Sequence, residues 1–374
     1  MHAFIKKNMV MVIALLAAAI TSIIIPPDRA YLGYFDLKTL TCLFCVLAVV
    51  CALKNINFFY MLARKVVKCF KNARMSILAL VYITFIGSML IANDMALLTF
   101  LPLGYLVLTT TGKQRYMAFT FVMQNIAANL GGMLTPFGNP QNLYLYSHYH
   151  LGMGAFLRIM LPFALLSLLL ILLALLRGKN QPLSFGLSEM QTVSGAAPFC
   201  RKSLLSYLLM FLLCLGAVGK WIPIPFLLLA VVCLGLFADS AIFSKVDYSL
   251  LITFAGFFIF IGNMKQIPWI SSLFQQLITG NELLCSVAVS QVISNVPAAL
   301  LLSGFTDQGT SLLIGTNLGG LGTLIASMAS LISYKFFVRE HPQKRGAYLL
   351  FFTGANLLFP VSYTHLTLPT ILRV

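Results

Sequence analysis

Long apolar runs separated by short polar loops make up most of this chain. The hydrocarbon core of a bilayer is about 30 Å thick and needs roughly 20 residues of helix to cross it. Seven runs approach that length with few or no charges, and each is predicted to be a transmembrane helix: 8–25, 38–53, 156–176, 203–219, 222–238, 248–262 and 346–361. The pattern therefore predicts an all-α polytopic membrane protein.

Three further apolar regions, 75–110, 116–149 and 283–334, have membrane length but are interrupted in the middle. The interruptions are Asn93-Asp94, Gly131-Gly132 through Gln141-Asn142, Ser294-Asn295-Val296-Pro297, and Asn317 through Gly322. Non-helical backbone is tolerated at this depth only when it is buried in protein or lines a cavity. We therefore predict two re-entrant hairpins and two broken transmembrane helices, with the functional residues at the breaks.

Composition and charge support a membrane location. Of the 374 residues, 60% are apolar and 9% are charged, whereas a soluble domain is about 25% charged. This excludes soluble enzymes, and the scattered cations give no basic domain for nucleic acid despite the net charge of +16. Because cytoplasmic loops are rich in Lys and Arg, we predict a multi-pass protein of the cytoplasmic (inner) membrane with its N-terminus in the cytoplasm. Only six of the 25 cations then lie outside: Arg29, Lys38, Arg158, Lys220, Lys265 and Arg373.

The chain contains an internal repeat. Asn129-Leu130-Gly131-Gly132 recurs as Asn317-Leu318-Gly319-Gly320, and each copy is followed by a threonine, Thr135 or Thr323. Each copy is also preceded by a second intramembrane Asn, Asn93 or Asn295. By the topology above the first copy starts outside and the second inside, so the repeats are predicted to be inverted, which is typical of secondary transporters. The alternative is that NLGG only allows close packing of helices.

These observations predict a division of the chain into five parts. They are an N-terminal helix (1–34), a first inverted repeat (35–176), a cytoplasmic loop with connecting helices (177–247), a second inverted repeat (248–361) and a tail (362–374). We expect the tail to be non-native, because it replaces the uninterrupted Leu-rich helix that ends the first repeat.

The interrupted motifs resemble a known family. The segments IANDMALLTFLP, QNIAANLGGMLTPFGNPQNLYLY, ISNVPAALLL and GTNLGGLGTLIAS resemble the ion transporter superfamily, which includes citrate-transporter-like permeases, divalent anion–sodium symporters and arsenite antiporters. The resemblance covers residues 35–360 and implies a homodimer that works by an elevator-like movement. Ala92-Asn93-Asp94 stands where the anion symporters carry Ser-Asn-Thr, and it looks more like the arsenite branch, whereas the GNPQNLY run looks more like uncharacterised anion permeases.

The breaks supply the candidate binding groups. Amide side chains offer both a carbonyl acceptor and two donors, helix N-termini favour anions, and glycines let backbone approach a ligand. No Lys or Arg lies within the three interrupted regions, so an anion bound there would depend on dipoles, amides, hydroxyls or a co-bound cation. We expect Na⁺ at the Asn93 and Asn295 tips. The substrate- and ion-binding candidates are Asn93, Asp94, Asn129, Gly131, Gly132, Thr135, Asn139, Ser294, Asn295, Pro297, Asn317, Gly319, Gly320 and Thr323.

Asp94 is the one charged residue at the predicted breaks. A carboxylate at bilayer depth costs at least about 2.5 kcal/mol on insertion scales, so it is expected to face a cavity and to have a function. We predict a role in H⁺ or Na⁺ coupling. The alternative is that Asp94 only caps the half-helix that follows it.

The sequence therefore predicts an ion-coupled secondary transporter of a small carboxylate or inorganic oxyanion, by symport or antiport. The alternatives are a cation–proton or arsenite-type antiporter on the same scaffold, and a membrane scaffold or channel. No catalytic motif such as HExxH or GxSxG is present, so an enzyme is not expected, and no cofactor is expected beyond a coupling H⁺ or Na⁺.

Overall fold

The computed structural model describes residues 8–56, 58–61, 65, 70, 72–176 and 201–363. Most of the segment from 57 to 71, the loop at 177–200 and the tail from 364 onward lie outside the described residues.

Every secondary structure element of the described ranges is a helix. The helices are α1 (Met9–Ile24), α2 (Leu37–Asn55), α3 (Ala73–Ile91), α4 (Asn93–Thr110), α5 (Met117–Gly132), α6 (Pro140–His148), α7 (Met153–Leu176), α8 (Arg201–Val218), α9 (Ile224–Asp239), α10 (Ala241–Ser244), α11 (Tyr248–Gln266), α12 (Pro268–Ile278), α13 (Glu282–Ile293), α14 (Asn295–Ser303), α15 (Gly309–Leu318), α16 (Met328–Glu340) and α17 (Arg345–Ser362). Short 3₁₀ turns precede α2, α5 and α17.

Four of the described helices, α2, α3, α7 and α11, are long and apolar enough to cross a membrane by length and composition. Helix α7 shows the lipid-facing pattern most clearly, because one face is buried and the other exposes leucines at four-residue spacing: Leu157, Leu161, Leu165, Leu169 and Leu173. An apolar stripe of this length is stable against lipid but not against water. The protein is a polytopic, all-helical membrane protein, as predicted.

Local sequence explains where the helices begin. Asp36 caps α2 by accepting a hydrogen bond from the Thr39 N–H at 3.0 Å, and Asp247 caps α11 through the Ser249 N–H at 3.1 Å. Side-chain acceptors at this position satisfy amides that have no partner within the helix. Proline at the first position of α6 needs no such partner, since it carries no N–H.

The interrupted regions break as predicted. Helices α3 and α4 are separated by Ala92 alone, and α13 and α14 by Ser294 alone. Both residues have positive φ angles, 64° and 77°, which non-glycine residues rarely adopt. Residues 133–139 separate α5 from α6, and residues 319–327 separate α15 from α16. The second half-helix of the later pair begins at Met328, where Ser327 accepts the Ala329 N–H and caps the helix.

Packing brings the breaks together at the centre of the molecule. Helices α3, α4 and α5 pack against one another and receive α16, while α13, α14 and α15 pack together and receive α6. Each group of three helices is therefore completed by the second half of the other broken pair. Helices α1 with α11, and α2 with α8 and α9, form the neighbouring layer.

Candidate functional site at the helix breaks

Four asparagine side chains, each from a different break or half-helix, meet in the interior. Asn93 Nδ2 donates to Asn129 Oδ1 at 3.1 Å, and Asn139 Nδ2 donates to Asn317 Oδ1 at 3.2 Å. All four residues are buried. Buried amides require partners because an unpaired polar group in the interior is costly, and here the partners are mostly other amides. We call Asn93, Asn129, Asn139 and Asn317 the asparagine cluster.

The cluster connects the two halves of the chain. Asn93 Nδ2 also lies 3.5 Å from Ser327 Oγ, at the restart of the second broken helix. Asn317 Nδ2 donates to Asn142 Oδ1 at 2.6 Å, in the first broken helix. The two breaks therefore contact each other through side chains.

The two Asn tips make equivalent backbone bonds. The N–H of Asn93 donates to Gly138 O at 3.1 Å, and the N–H of Asn295 donates to Ala326 O at 2.9 Å. The sequence separation between Gly138 and Ala326 equals that between Asn129 and Asn317, so the two acceptor carbonyls occupy equivalent positions in the repeat. Each tip is thus tied to the same point of its broken helix.

The threonines and the NLGG asparagines repeat this correspondence. Thr135 Oγ1 donates to Met89 O at 2.6 Å, and Thr323 Oγ1 donates to Gln291 O at 2.9 Å. Asn129 and Asn317 each donate to the carbonyl four residues earlier, at 3.1 Å and 2.7 Å. The hydroxyls of both threonines are engaged by the neighbouring hairpin, so these side chains fix the breaks in place.

The paired glycines allow close approach of elements. A Cβ on Gly131 would overlap the Phe85 carbonyl, and one on Gly319 would lie 2.8 Å from Ser290, so the third NLGG position lets the hairpin pack tightly. A Cβ on Gly132 would lie 2.6 Å from Asn139 Oδ1. One on Gly320 would lie 2.9 Å from Asn295 Nδ2 and 3.5 Å from Asn129 Oδ1. The fourth position thus faces the amides.

The remaining candidates, Asn295, Ser294 and Pro297, lie at the break between α13 and α14 and differ in their contacts. Asn295 is buried beside Gly320, within reach of the cluster. Ser294 Oγ approaches Asn295 Oδ1 at 3.4 Å and Ala326 O at 3.3 Å. Pro297 is buried in the first turn of α14, where its missing N–H costs nothing.

Asp94 stands apart from the amides. Its backbone N–H donates to Asn93 Oδ1 at 2.9 Å, but its Oδ1 atom is buried and has no hydrogen-bond partner among the described residues. Helix α4 begins at Asn93, and no side-chain cap is made there. The carboxylate of Asp247 acts on it electrostatically and the backbone of Ala329 hydrogen-bonds to it, and Lys54 Nζ lies 3.8 Å from the adjacent Met95 Sδ.

Sequence reasoning did not select three residues that belong to this region. Asn142 bridges Asn317 to the Gly132 carbonyl, which it reaches at 3.1 Å. Gln291 Nε2 donates to the Gly319 and Leu321 carbonyls at 2.8 and 2.9 Å. Gln141 is buried with both amide atoms unpartnered in the described structure. Their position in the sequence could have identified them, because polar side chains within membrane-length apolar segments usually have a structural or functional role.

The chemistry of the site is that of neutral amides and backbone dipoles. No group of three or more His, Cys, Asp or Glu residues suited to a metal ion occurs in the part of the chain described here. The Asn93 carbonyl oxygen already accepts the Asp94 N–H, so a cation at that tip would share it. The unpartnered Asp94 Oδ1 is the atom beside the tip that is free to take a proton or a cation.

Comparison with known proteins identifies the family to which the chain is similar. The model of the citrate transporter family matches residues 2–308, which include both Asn tips and the first NLGG. The uncharacterized transporter MJ0456 of Methanocaldococcus jannaschii is 32% identical over 301 residues, 80% of each chain. The inner membrane protein YbiR of Escherichia coli is 28% identical over 287 residues, 75% of this chain and 74% of the relative. These matches confirm the resemblance that the interrupted motifs indicated.

Proposed function

Because the chain belongs to the citrate transporter family and is a permease rather than an enzyme, we propose that it is a secondary active transporter of a small anion. The substrate is a carboxylate or an inorganic oxyanion, and its movement is coupled to H⁺ or Na⁺. The observation that carries this proposal is the asparagine cluster, in which two breaks that are distant in sequence supply buried amides to one place.

The proposed architecture is an inverted repeat with two re-entrant hairpins, α3–α4 and α13–α14. Three observations support it: the matching positive φ at Ala92 and Ser294, the equivalent bonds of Asn93 and Asn295 to the broken helices, and the exchange of α6 and α16 between the two groups of helices. Broken helices at a repeat interface are typical of transporter binding sites. The repeats run from 35 to 176 and from 248 to 361.

The amide groups and helix ends explain how such a site would hold an anion. Helices α4, α6, α14 and α16 all begin at the breaks, and helix N-termini carry partial positive charge that favours negative ligands. Asn Nδ2 groups add directed donors. With no Lys or Arg in the cluster, binding is expected to be weak enough for release, as transport requires.

Asp94 is the proposed coupling group. A carboxylate with a buried, unpartnered oxygen is costly when ionised, and a proton or a Na⁺ ion would reduce that cost. Because Asp94 is adjacent to Asn93, an ion bound there would act on the same tip that holds the substrate. Alternating access would then follow from movement of the hairpins and broken helices against α1, α2, α8, α9 and α11, in the manner of an elevator.

A cation–proton or arsenite-type antiporter on the same scaffold is the second candidate function. The observation that favours it is the unpartnered Oδ1 of Asp94, since an intramembrane carboxylate can exchange a cation for a proton. The third candidate is a channel or a non-transporting scaffold, in which the breaks would only bend the helices.

The location proposed for the protein is the cytoplasmic membrane, with the N-terminus inside, as a homodimer. The distribution of loop cations supports this orientation, and the Escherichia coli relative is named an inner membrane protein.

Counterflow in proteoliposomes separates the three candidates. Vesicles are loaded with one unlabelled anion from a panel that includes citrate, other di- and tricarboxylates, phosphate and arsenite, and uptake of the same labelled anion is followed with and without Na⁺. An anion carrier gives transient accumulation of its own substrate only. Exchange of cations for protons without any anion counterflow would favour the antiporter, and uptake without exchange acceleration would indicate a channel.

A further inference from the structure

A large cavity lies on the face of the protein where α2 begins and α11 ends. Its volume is about 1270 Å³, and its walls come from the start of α2, the end of α6, the loop between α8 and α9, and the end of α11. None of its lining residues belongs to the asparagine cluster. Under the proposed topology this is the outer face of the membrane.

The cavity is basic although the outer side has few cations. Three of the six cations assigned to that side, Lys38, Lys220 and Lys265, line it, and Asp36 is its one acidic lining residue. The Asp36 carboxylate is already engaged by the Thr39 N–H at the start of α2. The walls therefore carry a net positive charge of two before any histidine is protonated.

Lys220 is held in place at this wall. Its Nζ donates to the His150 and Leu151 carbonyls at 3.2 and 2.8 Å and lies 5.3 Å from the centre of the Tyr146 ring. A lysine fixed by backbone acceptors loses little further entropy when an anion arrives, since the ordering cost is already met.

One face of α6 leads from the cavity towards the asparagine cluster. His148 and Tyr144, four residues apart, both line the cavity, and Gln141 lies three residues earlier on the same face. The Tyr144 ring packs 5.8 Å from Phe258, and its hydroxyl bonds Ser303 Oγ at 2.8 Å. Tyr144 thus lies on α6 between His148, which lines the cavity, and the buried Gln141.

From these contacts we infer that the cavity is an anion-collecting vestibule, which binds small free anions weakly through Lys38, Lys220 and Lys265 before they reach the buried site. The inference rests on the proposed function for its purpose, but the binding itself does not require transport. A concave, single-sign surface focuses its field and raises the local concentration of counter-ions. The effect is screened within about 8 Å at physiological ionic strength, so it acts on ions inside the cavity.

Tryptophan fluorescence can test this directly, because the chain has two tryptophans and Trp221 lines the cavity. In a Trp269→Phe background, quenching of Trp221 is measured with iodide and with caesium, each normalised to N-acetyltryptophanamide. A Trp221→Phe background reports Trp269, which does not line the cavity. The series is completed by Lys38→Gln, Lys220→Gln, Lys265→Gln, their triple variant, and Lys335→Gln as a control outside the cavity.

We expect iodide to quench Trp221 at least about twofold more efficiently than caesium at low salt, with the preference lost as NaCl screens the lysines. Each cavity substitution should reduce the preference, while Lys335→Gln and the Trp269 reporter should show no change. Equal quenching by the two ions, or a preference that the cavity lysines do not affect, would overturn the inference. A lipid control uses nanodiscs in which phosphatidylglycerol replaces part of the phosphatidylcholine. If the iodide preference of Trp221 then disappears while that of Trp269 does not change, lipid headgroups occupy the cavity and the inference is overturned. Loss of counterflow with intact quenching would instead count against the proposed transport function.

Discussion

Asn139 Nδ2 donates a hydrogen bond to Asn317 Oδ1 at 3.2 Å, although the two residues are 178 positions apart. Asn139 precedes the restart of the first broken helix, and Asn317 lies in α15 just before the second break. The bond therefore joins the two breaks at the place where we expect the transported ion to bind. Its removal should affect binding and the association of the two halves together.

Alanine substitution of Asn139 and Asn317 measures the interaction energy between the two side chains. Hydrogen bonds between membrane helices contribute about 0.6 kcal/mol on average, so Asn139→Ala and Asn317→Ala should each lower the thermal transition only slightly. A double-mutant cycle in detergent measures the interaction, and the double variant should cost less than the sum of the single changes. Strictly additive effects would show that the amides do not interact.

Gly320→Ala tests the close approach at the fourth NLGG position. The added methyl would lie 2.9 Å from Asn295 Nδ2, so the tip must shift and substrate exchange should fall by about tenfold or more, since small misplacements at a site are costly. Gly354→Ala in α17 is the matched control, because nothing lies within 4 Å of its added Cβ. Equal exchange rates in the two variants would remove Gly320 from the site.

Asp94→Asn tests the coupling role. The amide keeps the shape of the side chain and removes the cost of the buried charge, so the variant should fold and retain exchange at equal substrate concentrations. Accumulation driven by a pH or Na⁺ gradient should be lost. Asp307→Asn, in an exposed loop, should retain accumulation. An Asp94→Asn variant that still accumulates substrate with the same dependence on pH and Na⁺ would leave Asp94 without a coupling function.

Ala92 and Ser294 hold the tips in a backbone conformation that favours glycine, with φ and ψ of 64° and 150° and of 77° and 153°. Such conformations cost about 1–3 kcal/mol in other residues. Ala92→Gly and Ser294→Gly should therefore raise the thermal transition, whereas Ala127→Gly in the interior of α5 should lower it, since glycine costs about 1 kcal/mol in a helix interior. A lower transition for Ala92→Gly would argue against the strained tip.

Much of the fold could be predicted from the sequence because bilayer thickness fixes helix length. Helix α1 was predicted at 8–25 and spans Met9–Ile24, and α17 was predicted at 346–361 and spans Arg345–Ser362. The sequence predicts two helix ends less well: α11 continues past 262 to Gln266 through the polar Lys265, and α7 begins at Met153, three residues before the predicted start.

The side-chain partners at the breaks could only partly be predicted. The repeated NLGG identified Asn129 and Asn317, but the repeat has no counterpart for Gln141 or Gln291, whose importance comes from the direction of their amides. The basic cavity could not be predicted at all, because Lys38, Lys220 and Lys265 are isolated in sequence and come together only through packing of α2, α8 and α11.

The most direct test of the central claim, that a small anion is carried through the asparagine cluster, is trans-stimulated exchange in proteoliposomes by site variants. Wild type, Asn139→Ala and Asn317→Ala are compared with Asn263→Ala, a buried asparagine that bonds Thr21 Oγ1 in α1 at 3.2 Å, away from the breaks. We predict exchange acceleration in wild type and Asn263→Ala, and at least about tenfold slower exchange in the two cluster variants with protein still folded. Wild-type exchange rates in both cluster variants, or no exchange acceleration in the wild type with any anion, would contradict the account.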